Sequence, residues 1–137
     1  MSPNWRFCLT VGALVALVDF AGLMLSRGQT PTSEMRSVID MLGLVANVAL
    51  FSHVGFRTGK DTGRATTAAE AGVLASLLPA MAAAVYQLVI PGWFDPSQES
   101  VPLVNRMVAA VAFNIVLGGV TAWLSGWLAS LNRARTR

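Results

Sequence analysis

The sequence predicts an all-α integral membrane protein, a bundle of four transmembrane helices. Three observations predict it. Hydrophobic residues make up 54% of the 137-residue chain and charged residues only 12%, against a usual charged share of about 25%. The apolar residues gather into four blocks, residues 7–25, 38–56, 71–91 and 107–131, each close to the roughly 20 residues that a helix needs to cross a hydrocarbon core. The basic residues gather beside alternate ends of these blocks. A soluble bundle would need a polar face on every helix, and these blocks leave almost none. The length allows a single domain over residues 1–137.

The first block follows Arg6 and has the outline of a signal peptide, but "GLMLSRGQ" offers no small-x-small cleavage site, so it reads as a helix. "TPTSEMRSVID" provides several starts for the second helix. Ser37 and Asp40 have capping-box spacing, which gives Asp40 an end-capping role with Arg36 one turn away. The segment "GFRTGKDTGR", residues 55–64, looks like a phosphate loop by composition. It lacks one residue before Lys60, carries Asp61 where Ser or Thr would hold magnesium, and follows no strand, so a basic turn is expected. "TAAE", residues 67–70, is a capping box for the third helix. Pro79 should bend that helix, and Pro91-Gly92 should end it. "DPSQ", residues 95–98, suits a short interfacial turn before the fourth span. A weak echo links "GALVALVD" with "GVLASLLP" and "ANVALF" with "FNIVLG". Two tandem helix hairpins would produce it, and so would chance in so small an alphabet.

Lysine and arginine predict the orientation. Arg6, Arg57, Lys60, Arg64, Arg133, Arg135 and Arg137 fall at the termini and in the middle connection, against Arg27, Arg36 and Arg106 in the other two. Both termini are therefore expected in the cytoplasm, and the chain in the cytoplasmic membrane of a prokaryote. Trp5 and Trp127 suit the inner interface and Trp93 the outer one. The pI near 10.0 follows from this topology. It points to the bilayer and its anionic cytoplasmic headgroups as partners, and away from nucleic acid. The single Cys8 excludes an internal disulfide.

Lipid is as apolar as leucine, so helices within it associate by close packing of small residues. Every fourth position of the third helix gives Gly72, Ser76, Ala80 and Ala84. The fourth gives Ala110, Asn114, Gly118, Ala122, Gly126 and Ser130, and Gly12 marks a similar face on the first. Close helix contact is expected along these stripes. The partner could be a helix of this chain, a second copy in a homo-oligomer, or a larger membrane complex.

Asp19 is the one acidic or basic residue of the first block. At 100° per residue it lies about 20° around the helix from Gly12, on the small, polar side with Cys8, Ala16 and Ser26. Asn47 and Asn114 fall near the same depth on the second and fourth helices. Tyr86, Gln87 and Asp40 lie further toward the outer side, where they could form an access route. An unpaired charge near the bilayer centre costs about 2.5–3.5 kcal/mol on insertion scales, so Asp19 should point into the bundle. It serves either as a hydrogen-bonded register pin or as a proton- or cation-binding site.

His53 lies about 120° around the second helix from Asn47 and suits the interface. One histidine cannot build a bis-His haem or a histidine-rich metal site. No nucleophile–base pair and no metal-ligand cluster is present in the sequence, so neither catalysis nor a metal nor a cofactor is expected. The first functional expectation is a non-enzymatic accessory or self-associating subunit, and the second a proton- or cation-coupled transporter using Asp19. An acidic residue in the first of four spans, in a chain this short, is similar to the small multidrug resistance transporters. Unlike theirs, the third helix has no tryptophan, and the connections are longer. A holin-like pore former is the third.

Overall fold

The structure is a computed structural model that describes residues 3–26, 33–89 and 101–135, with side chains described as far as Asn132. Four helices make up the fold: α1 (Trp5–Leu25), α2 (Glu34–Thr62), α3 (Ala65–Val89) and α4 (Leu103–Arg135). Each is long and apolar enough to cross a membrane. Arg27, Pro91-Gly92, Trp93 and the 95–98 turn lie outside the described residues, as do the side chains of Arg133, Arg135 and Arg137.

The helices outrun the apolar blocks that seed them, and their ends have local causes. Asn4 caps α1, its side chain accepting the Phe7 N–H at 3.3 Å. Ser33 caps α2, its hydroxyl accepting the Arg36 N–H at 3.2 Å. The Ser37–Asp40 pair therefore lies inside α2 and does not start it. Gly63 ends α2 in the left-handed region, φ 70, with its N–H on the Gly59 carbonyl at 2.8 Å. Residues 55–64, expected as a basic turn, are thus helical through Thr62, and only Gly63 and Arg64 connect α2 to α3. The turn reading failed because α2 runs on through this segment, with Gly55 and Gly59 packed against α4. Likewise α3 opens at Ala65, which places the Thr67–Glu70 pair within its first turns. The Thr62 hydroxyl accepts the Arg64 N–H at 3.3 Å and anchors this short connection.

Successive helices run antiparallel. α1 packs on α2 and α3, α4 packs on the same two, and α1 and α4 do not meet among the described residues. The α3–α4 contact is the broadest and the α1–α2 contact the slightest, so the two hairpins pair unequally.

The core occupies one half of the bundle, the half that holds the termini and the α2–α3 connection. Cys8, Val11 and Val15 of α1 meet Phe51 and Val54 of α2 and Ala71 and Ala75 of α3. Glycines bring the backbones together there. A Cβ on Gly72 would strike the Gly118 carbonyl oxygen, and one on Gly118 would come within 2.8 Å of the Gly72 oxygen and the Ser76 Cβ. Gly126 meets Ala68, and Gly12 meets the Ala75 backbone. Two glycines outside the expected stripes join them: Gly55 lies on Ala122, and Gly59 on Gly126. Ala80 is buried and Ala84 half-buried on α3. Small residues therefore bring each of the four helices within backbone contact of a neighbour, the packing that works where no hydrophobic drive separates helix from solvent.

Outward faces carry Leu17, Met41, Met81 and Val104, all exposed. Hydroxyls in the spans bond within their own helices, as Ser76 to the Val73 carbonyl at 2.8 Å and Ser125 to the Thr121 carbonyl at 2.9 Å. Such self-satisfaction suits side chains that lipid cannot solvate. Trp5 and Trp127 are exposed near the terminal end of the bundle.

Candidate ligand cavity

The other half of the bundle is open. Without glycine contacts to draw the helices together, an open cavity of about 470 Å³ remains between them, lined from all four. Asp19 and Gly22 come from α1, Arg36, Asp40, Gly43 and Asn47 from α2, Tyr86 and Gln87 from α3, and Phe113 and Asn114 from α4. Asp19, Asn47 and Asn114 thus share one cavity with Asp40, Tyr86 and Gln87. On α2 the spacing 36, 40, 43, 47 keeps these residues on one face.

Asp19 is half-buried, less enclosed than its place on the small face of α1 suggested, because it borders this open space. Asn47 donates from Nδ2 to Asp19 Oδ1 at 2.7 Å, the one hydrogen bond to that carboxylate among the described residues. Asn47 is 7% exposed, and its Oδ1 has no hydrogen-bond partner. Asn114 is buried too, but its Nδ2 donates to the Ala110 carbonyl at 3.0 Å. It lines the cavity without bonding Asp19, so the three residues form a pair and a neighbour. The Tyr86 ring lies 6.0 Å from that of Phe20. Arg36 and Asp40 approach at 3.9 Å, with Arg36 largely covered and Asp40 largely exposed.

His53 takes no part. It is exposed near the opposite end and meets Phe7 edge-on, ring centroids 5.8 Å apart, while Arg57 sits 4.5 Å over the same ring. No group of three or more His, Cys, Asp or Glu suited to a metal occurs among the described residues.

Sequence reasoning missed Arg36 as a lining residue, and it missed Gly55 and Gly59. Arg36 had a detectable signal, its place three turns from Asn47 on the face that includes Asp40. The two glycines also had one: with Phe51 they lie on a single stripe at every fourth position.

Comparison of the chain with protein-family models, curated proteins and solved structures finds no match. The class that fold and sequence define is a multi-pass helical membrane protein.

Proposed function

We propose that this membrane protein admits a cation to Asp19, as a proton- or cation-coupled small transporter does. The observation that carries the proposal is the Asp19–Asn47 pair on the wall of an open, four-helix cavity of about 470 Å³. An intramembrane carboxylate is expensive unless it is paired or solvated. One neutral amide does not offset a full negative charge, so the site favours a positive occupant. Counting Asp19, Asp40 and Arg36 as ionised, the described residues of the cavity lining carry one net negative charge.

The accessory-subunit alternative draws its support from the small-residue stripes. Those stripes meet partners within the chain, at Gly72–Gly118, Ala68–Gly126 and Gly12–Ala75. Their presence therefore calls for no second copy. With seven Lys and Arg on the terminal side against three on the other, we place both termini in the cytoplasm and the cavity toward the outside.

Uptake into proteoliposomes tests the proposal. Wild-type protein should show proton- or cation-dependent uptake, and Asp19→Asn should lose it while keeping its fold. Equal uptake by both would reject Asp19 as the cation site.

A further inference from the structure

We infer that the end of the bundle holding the termini clasps the phosphate of one anionic phospholipid, with Arg57 and His53 of α2 and Arg6 of α1 as donors. The site lies apart from Asp19 and its cavity and does not depend on them.

The donors stand on aromatic rings. Phe7 of α1 packs against the buried core, which fixes its ring. The Arg57 guanidinium lies 4.5 Å over that ring, and His53, one turn deeper on α2, meets the ring edge-on with centroids 5.8 Å apart. Arg6, the residue before Phe7, lies 5.5 Å over the ring of Trp5. Neither guanidinium pairs with a carboxylate among the described residues. A ring face attracts the cation but takes up little of its hydrogen-bonding capacity. The planar fork of N–H donors is left for an acceptor that can meet it bidentately, as phosphate does.

Charge points the same way. Arg6, Arg57, Lys60 and Arg64 outnumber Asp61 and Glu70 by two at this end, counting the described residues with His53 neutral. A head that carries its own cation, such as choline, meets repulsion from that excess, and an anionic head does not.

The flanks make the ligand a lipid. Trp5, Leu9 and Phe56 are exposed beside the donors, and exposed tryptophan belongs at headgroup level. Free phosphate has no use for such apolar flanks. A phospholipid fits both parts, its phosphate on the donors and its acyl chains along the apolar faces. General attraction to an anionic leaflet acts on every basic residue alike, whereas a clasp depends on the guanidinium fork at position 57.

Native mass spectrometry of the full chain, released from neutral maltoside micelles, tests the inference. The probes are dioleoylphosphatidylglycerol, dioleoylphosphatidylcholine and inorganic phosphate. Wild-type protein should retain one phosphatidylglycerol per chain, bound about tenfold more tightly than phosphatidylcholine, as charge-assisted hydrogen bonding predicts. Millimolar phosphate should not displace it. Arg57→Lys keeps the charge and loses the fork, and should weaken phosphatidylglycerol binding by about fivefold. Arg64→Gln removes a whole charge outside the cluster and should weaken it by less than about twofold. Equal retention of the two lipids overturns the inference. So does a larger loss in Arg64→Gln than in Arg57→Lys, which would mean diffuse attraction. Displacement by phosphate would mark a site for the free anion and overturns the lipid assignment. If Arg57→Lys does not fold, the two lipids and the phosphate competition on wild-type protein decide alone.

Discussion

Asn47 of α2 donates to the Asp19 carboxylate of α1 across 2.7 Å, while Asn114 of α4 bonds a carbonyl of its own helix. The polar link in the open half therefore joins the two helices with the slightest mutual packing. An amide at position 19 can still bond Asn47. Asp19→Asn should hold its thermal midpoint in detergent within a few degrees of wild type. Asp19→Leu leaves the Asn47 amide unpaired as well and should destabilise by roughly 1–2 kcal/mol. Reversible denaturant unfolding of the three proteins measures the difference.

Gly72→Leu and Gly118→Leu should each disrupt the fold, because backbone or Ser76 atoms occupy the space a side chain requires. Overpacking typically costs about 1–3 kcal/mol, and here the obstacle is main chain, which yields little. Ala80→Leu, at a buried site, should destabilise as well. Gly43 is the control: a Cβ there meets nothing within 4 Å, so Gly43→Ala should match or slightly exceed wild-type stability. Unfolding midpoints for the four variants decide the matter.

Gly63 holds φ 70 at the end of α2. Gly63→Val should cost about 1–2 kcal/mol through the left-handed backbone alone. Gly63→Asn should cost less, since asparagine tolerates that region. A smaller stability loss for Val than for Asn would contradict this account.

Cys8 is the only cysteine and is fully buried, so the wild-type chain gives a low thiol background. A cysteine at Gly43, on the cavity wall, should react with a membrane-impermeant maleimide added outside intact cells. Labelling only after the cytoplasmic face is opened would reverse the proposed orientation.

How much of this was legible in the sequence depends on the range of the cause. The four helices follow from runs of apolar residues, which is local information, and the Gly72–Gly118 contact follows from a period within each helix. The inward side of Asp19 followed from its angle to Gly12. What stayed hidden depends on how helices register against one another. Whether Asn47 or Asn114 would reach Asp19 turns on axial offsets of a few ångströms. The basic residues around Gly55 and Gly59 suggested a solvated turn, although one helix carries Arg57 outward and both glycines inward. The cavity itself is the absence of a contact, and no single helix encodes that.

Placing the close backbone contacts in one half also sets where the molecule can yield. Gly72 against Gly118 acts as a rivet, and the far ends of α3 and α4 are levers about it. A tilt of about 10° around Gly118 carries Leu103, some fifteen residues away at 1.5 Å each, through about 4 Å. The same tilt moves the backbone at the rivet hardly at all. The aperture around Asp19 can widen or narrow at small cost, whereas any passage toward the termini must prise apart α1 from α3, α3 from α4 and α2 from α4 where their main chains touch.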